Sequence, residues 1–144
     1  MNIDFHRILN LRETREYIRN LKDYEDSLSS PLIGDYSLIK TLYGIFLEVS
    51  HRPSFTPAES VTRRKKFIFI ALYIFVPGVL AGDKMPSGFR HALSEALGVK
   101  SHSIVSNNLE DAVFRYEKYP DFRRDTERIY SRMTEKFASL TANT

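Results

Sequence analysis

Cysteine is absent from this chain of 144 residues. Its absence excludes disulfide bonds and thiolate metal sites, and it fits a reducing compartment. The charged N-terminal stretch MNIDFHRILNLRETREYIRN also lacks the apolar segment and the small-residue cleavage site of a secretory signal. We therefore expect a cytoplasmic protein.

Long apolar runs are scarce, and the most hydrophobic stretch is FIFIALYIFVPGVLA, residues 67–81. It has 15 residues and is interrupted by Pro77 and Gly78, whereas a membrane-spanning helix needs about 20 apolar residues. A helix that is apolar all round also suits the centre of a helical bundle. The stretch could instead form a buried strand, but the rest of the sequence shows no strands with which it could pair. The stretch therefore favours a central core helix that ends before Pro77, with no membrane partner.

Recognisable catalytic and ligand-binding patterns are also missing. The four histidines are widely spaced, and none lies in a metal-ligand pattern: His6, His51, His91 and His102. No glycine loop for phosphate and no nucleophile elbow occurs. We expect a non-enzymatic protein with no catalytic residues, no metal, no cofactor and no evident small-molecule ligand.

Positive charge is concentrated in one tetrapeptide. The net charge is +3, and Arg63, Arg64, Lys65 and Lys66 contribute four positive charges while the rest of the chain nearly cancels. A basic cluster favours anionic partners. The alternative is that these side chains form only a solvated turn of a helix.

Local sequence signals predict helices throughout. Thr56, Pro57 and Glu59 have the spacing of a capping box with proline at the first helical position. Helical spacing of apolar residues predicts further helices within residues 11–24, 38–49, 86–98, 101–118 and 121–140. The predicted fold class is all-α, a compact single-domain bundle of five to six helices over residues 1–140. Residues 141–144 are predicted to be a disordered tail.

Residues 89–109, FRHALSEALGVKSHSIVSNNL, predict two helices joined by a tight turn. Gly98 can take the left-handed conformation that such a turn requires. Val105 and Leu109 have the spacing of residues that face inward from the second helix. The unit is expected to extend over about residues 86–118, with Ser101 or Ser103 as the cap of its second helix.

This stretch resembles the helix-turn-helix of bacterial and phage repressors and of related proteins from mobile elements. The resemblance implies a small protein that binds double-stranded DNA, as a transcriptional regulator or an accessory factor. Asn107 is expected to read adenine through its carboxamide. The remaining predicted DNA-binding residues are Lys100, Ser101, His102, Ser103 and Ser106 in and after the turn, with Arg63, Arg64, Lys65 and Lys66 holding phosphates.

The chain departs from the family pattern in two ways. Counted from Gly98, the pattern places the buried residue of the second helix at Ile104, whereas the apolar rhythm places it at Val105, which implies a longer turn. Glu110 and Asp111 are also expected to repel phosphates. Residues 89–109 are therefore expected to read DNA only if the fold brings basic residues alongside them.

Two other interpretations stay open. The two helices could form a mere helical corner in a structural or protein-interaction protein, for example a component of a phage particle. Phe114 is expected to face outward and to pack on the last helix or on a second subunit, which indicates a homodimer. A membrane-associated protein built on residues 63–81 is the third interpretation.

Overall fold

The computed structural model describes residues 4–142, and for His102 it describes the backbone alone. The described part of the chain contains six α-helices and no strand, which confirms the all-helical fold class. The helices are α1 (Phe5–Ser29), α2 (Ile39–Val49), α3 (Pro57–Phe75), α4 (Ser87–Leu97), α5 (His102–Lys118) and α6 (Pro120–Ala142).

Contacts divide the described residues into two compact units, one that ends at Ser30 and one that begins at Pro31. The first unit contains α1 alone, and α1 has no buried residue. Pro31 restricts the preceding residue to extended backbone, and Ser30 accordingly ends α1 with ψ 132°. The second unit contains α2 to α6 and the hydrophobic core.

The start and the end of α3 follow the sequence signals. Thr56 accepts a hydrogen bond from the Glu59 backbone amide, and the Glu59 carboxylate accepts one from the Thr56 amide, both at 3.1 Å. The predicted capping box is thus confirmed. The helix ends at Phe75, before Pro77, because proline cannot donate the next helical hydrogen bond.

The apolar half of α3 lies at the centre of the second unit, as predicted. Its buried side chains pack with those of α2 and α4 around four fully buried phenylalanines: Phe46, Phe67, Phe75 and Phe89. Deep burial of so much apolar surface is the main stabilising contribution to such a domain.

The last helix, α6, extends further than the sequence indicated. Thr141 and Ala142 fall within the predicted disordered tail, and both belong to α6. Residues 143–144 of that tail lie outside the described residues.

Candidate nucleic-acid interface at the α4–α5 corner

The turn between α4 and α5 has the local geometry that the sequence predicted. Gly98 ends α4 with φ +70°, in the left-handed region. The Val99 amide donates to the Ser94 carbonyl at 3.0 Å, which satisfies a carbonyl at the helix end. Ser101 is the cap of α5, and its hydroxyl accepts a hydrogen bond from the Ser103 amide at 3.3 Å.

Burial along α5 identifies its inward face. Val105 is fully buried, whereas Ile104 stays partly exposed. The prediction that Val105, and not Ile104, is the buried residue is therefore confirmed. Ala112 is buried, and the other predicted inward residues, Leu109, Val113 and Tyr116, are half-buried.

The predicted DNA-binding residues of the corner lie in the turn and in the first two turns of α5. Lys100, Ser101, Ser103 and Asn107 are exposed, and Ser106 is half-buried. The hydroxyls of Ser101 and Ser103 share a hydrogen bond of 2.5 Å. Within residues 4–142, neither Lys100 nor Asn107 forms a side-chain hydrogen bond, so both retain their donors for a ligand. The side chain of His102 lies outside the described part of the structure.

Asp111 is held by two cations. Its carboxylate contacts Lys65 Nζ at 2.5 Å and Arg115 Nε at 2.7 Å. Hydrogen bonds from Lys65 and then from Arg115 lower the pKa of Asp111. The charge of Asp111 is therefore offset by two neighbouring positive charges, whereas Glu110, the other carboxylate that the sequence predicted to repel phosphates, is exposed and forms no ion pair within residues 4–142.

The basic tetrapeptide does not act as one group, because successive side chains of a helix point in different directions. Arg63 donates to the Ser50 hydroxyl and to the Leu47 carbonyl, both at 2.9 Å, and Lys66 pairs with Asp125 at 2.6 Å. Arg64 is half-buried and forms no ion pair or hydrogen bond within the described residues. Within the described residues, Lys65 alone among the four forms an ion pair with α5, so the four side chains that the sequence predicted to hold phosphates make different contacts.

Phe114 borders an apolar groove that the sequence did not predict. Its side chain is 48% exposed, and its ring lies edge-on to Tyr119, with 5.8 Å between the ring centroids. The groove has a volume of about 440 Å³. Its apolar lining includes Val79, Leu80, Leu109 and Val113, and its charged residues are the carboxylates Asp83, Glu110 and Glu117. Val79 to Asp83 precede α4, so sequence periodicity within α5 could not reveal this groove.

None of the helices in residues 4–142 has the length and apolar character needed to span a bilayer. The same residues contain no cluster of three histidine or acidic side chains that could hold a metal ion. Comparison with protein-family models, curated proteins and solved structures finds no match to this chain.

Proposed function

We propose that the α4–α5 corner binds double-stranded DNA, with the start of α5 in the major groove. The main support for this proposal is the composition of the exposed surface at the start of α5. Residues 102–108 contain no carboxylate and expose Ser103 and Asn107. Of the two carboxylates that follow, Asp111 is paired with Lys65 and Arg115, whereas Glu110 is exposed and forms no ion pair within residues 4–142. The surface of residues 102–108 therefore offers hydrogen bonds from uncharged side chains, with one unpaired carboxylate at its far end.

Each exposed side chain has a distinct role in the proposal. The Asn107 carboxamide can donate to N7 and accept from the N6 amino group of adenine at the same time. Lys100, in the turn, binds a backbone phosphate, which positions the helix without reading sequence. The biological role proposed is that of a transcriptional regulator or an accessory factor of a phage or mobile element.

Fluorescence anisotropy with a pool of random-sequence labelled duplexes tests the proposal. We expect binding that weakens between about 50 and about 200 mM salt, because phosphate contacts release counterions. Duplexes selected from the pool should bind more tightly than the starting pool. Absence of binding at the lower salt concentration would remove the proposal.

Matched variants distinguish the recognition of base sequence by Asn107 from the binding of backbone phosphate by Lys100. Asn107→Ala should bind the selected duplexes less tightly and the random pool almost unchanged, whereas Asn20→Ala, an exposed asparagine in α1, should leave both affinities unchanged. Lys100→Gln should weaken both classes alike and reduce the salt slope by about 1. Equal losses of affinity for Asn107→Ala and Asn20→Ala would contradict the assignment of Asn107.

Asp111→Asn tests the local charge balance. Removal of this carboxylate frees Lys65 and Arg115, so we expect tighter binding at low salt and a steeper salt slope, by about 1. An unchanged affinity would indicate that these cations lie away from the DNA backbone.

The groove beside Phe114 favours a second candidate function, the binding of a partner protein through a cationic amphipathic helix. The groove combines an apolar lining with three carboxylates and no cation, which matches an apolar helix face flanked by lysines. A synthetic leucine and lysine helix should bind, and Phe114→Ser should abolish binding. Val61→Ser, at a similarly exposed apolar position, should not. Equal binding by both variants would exclude the groove.

A further inference from the structure

A basic cavity lies among the end of α2, the segment that follows it, the first half of α3 and the middle of α6. Its volume is about 250 Å³. Five cationic side chains line it, together with two carboxylates and one histidine: Arg52, Arg63, Lys66, Arg128 and Arg132, with Glu59, Asp125 and His51. We call these residues the basic cavity.

Internal ion pairs leave the basic cavity with excess positive charge. Arg52 pairs with Glu59 at 2.7 Å, and Asp125 is shared by Lys66 at 2.6 Å and Arg128 at 2.5 Å. Arg132 forms no ion pair or hydrogen bond within residues 4–142. Five cations and two carboxylates leave a surplus of three positive charges, as large as the net charge of the whole chain.

Two of the guanidinium groups of the basic cavity lie against the same aromatic ring. Arg52 and Arg63 each lie over the Phe55 ring, at 4.5 and 4.4 Å from its centroid. Burial lowers the pKa of Arg63, and the positive charge of Arg52 also acts to lower it. Arginine nevertheless remains charged in proteins, so the folded chain holds like charges together that an anion would stabilise.

We propose that the basic cavity binds a phosphate group carried by a small molecule. Arginine groups present paired donors that match the oxygens of phosphate. The volume lies below the 300–1,000 Å³ typical of pockets for drug-sized ligands, so it fits inorganic phosphate or a short phosphorylated compound. The lining residues include none from α4 or α5, and the site is therefore separate from the proposed DNA interface.

Isothermal titration calorimetry with inorganic phosphate and with pyrophosphate, at constant ionic strength with chloride as the reference anion, tests this site. We expect saturable binding by the full chain. Arg132→Gln should weaken it about tenfold, because a charged donor is lost. The matched control is Arg124→Gln on the same helix, since Arg124 pairs with exposed Asp121 and does not line the cavity.

Three outcomes would overturn the proposal. The first is absence of saturable binding for both anions, and the second is equal affinity of the Arg132→Gln and Arg124→Gln variants. The third is a loss of duplex DNA binding in Arg132→Gln when neither free anion binds, which would assign the cavity to a DNA backbone phosphate instead. Circular dichroism of both variants checks that the fold is retained.

Helix α1 carries an independent second inference. No other element belongs to its unit, and its apolar side chains are exposed. Leu11 and Ile18 are seven residues apart, as are Leu21 and Leu28, and the four lie on one face with the a and d spacing of a coiled coil. Such a face is stabilised by burial against another helix.

The charges along α1 indicate the direction of that second helix. Residues 10–19 carry three arginines and two glutamates, whereas residues 20–29 carry one lysine and three acidic residues. Positive charge near the N-terminus and negative charge near the C-terminus both oppose the helix dipole. A second α1 in antiparallel orientation would place each half against a half of opposite charge, and a parallel one would place like charges together.

We infer that α1 associates with α1 of a second copy of this chain as an antiparallel pair. One register places Leu11 opposite Leu28 of the second copy and Ile18 opposite Leu21 of the second copy. The same register places Thr14 opposite Glu25 of the second copy, as an antiparallel pair with a constant register requires. The homodimer predicted from the sequence was attributed to Phe114 of α5, whereas the inferred pair is formed by α1.

Sedimentation equilibrium of the full chain tests the association. We expect a dimer, dissociated by Leu21→Glu and retained by Leu9→Glu, because Leu9 is exposed on the opposite side of α1. The cysteine-free chain also permits cross-linking. A mixture of Leu11→Cys and Leu28→Cys chains should form the mixed disulfide. A monomer at all concentrations, or preferential disulfides between two identical variants, would overturn the antiparallel pair.

Discussion

The α4–α5 corner and the basic cavity are built in opposite ways. The corner comes from one continuous segment, residues 87–118, in which the turn glycine, the cap and the buried valine follow one another. The cavity collects cations that are far apart in sequence, from Arg52 to Arg132. Local hydrogen bonding therefore determines the shape of this helix corner, whereas packing determines where positive charge accumulates.

The largest expected effect is on the free energy of unfolding, because the α4–α5 corner packs on the hydrophobic core and Arg132 of the basic cavity does not. Leu93 in α4 is fully buried, so Leu93→Ala should lower the free energy of unfolding by about 2–5 kcal/mol through lost burial and a cavity. Arg132→Ala, in the basic cavity, should change it by less than about 0.5 kcal/mol. Urea denaturation followed by circular dichroism measures both. Similar losses of free energy of unfolding would show that Arg132 stabilises the fold as much as Leu93 does.

The next effect compares two adjacent arginines. Arg63→Met should cost about 1–3 kcal/mol, because the Ser50 hydroxyl and the Leu47 carbonyl lose their donor. Arg64→Met should cost less than about 0.5 kcal/mol. Thermal and urea unfolding of the two variants give the difference. Equal stabilities would contradict the division of the basic tetrapeptide by the fold.

A smaller effect tests the turn of the corner. Gly98→Ala should destabilise by about 1–2 kcal/mol, because φ +70° is unfavourable for alanine although space for a Cβ is available. Gly44→Ala, inside α2 with equally open space, should stabilise by about 0.5–1 kcal/mol. Urea denaturation should therefore show that the two substitutions change the free energy of unfolding in opposite directions. A Gly98→Ala variant as stable as the parent chain would contradict the requirement for glycine at this turn.

The smallest effect concerns acid stability of the basic cavity. Burial acts to raise the pKa of Asp125, but hydrogen bonds from Lys66 and Arg128 outweigh it, and the pKa is lowered overall. Because the folded pKa lies below the unfolded value of about 3.9, this carboxylate stabilises the fold above about pH 4, and the contribution is lost as pH falls through the folded pKa.

Asp125→Asn should therefore show a shallower loss of urea midpoint between about pH 5 and about pH 2 than the parent chain does. The control is Asp121→Asn, whose side chain is exposed at the start of α6. If Asp121→Asn and Asp125→Asn give the same acid profile, the ion pairs of the basic cavity make no special contribution.

Much of the fold could be predicted from short-range signals. The capping box at Thr56, the stop before Pro77 and the turn at Gly98 all depend on residues within about four positions of each other. The length of α1 and the division after Ser30 were not predicted. Apolar residues at helical spacing in α1 predict a face packed on the core, but α1 has no buried residue. Its apolar positions therefore did not reveal that it forms a separate unit.

The candidate sites were predictable only in part. The exposure of Ser103 and Asn107 follows from helical periodicity once the turn is placed. The pairing of Lys66 with Asp125 joins residues 59 positions apart, and no local pattern relates them. The same holds for the contact of Lys65 with Asp111.

The helical class, most helix boundaries and the central position of the apolar stretch in α3 could be predicted from the amino-acid sequence. Those features follow from backbone hydrogen bonding and apolar periodicity, which act between near neighbours in the chain. The tertiary structure alone decided which cation meets which carboxylate. It turned Lys65 toward α5 and placed Arg63 and Lys66 in the basic cavity, because electrostatic contacts depend on how packed helices are rotated against one another.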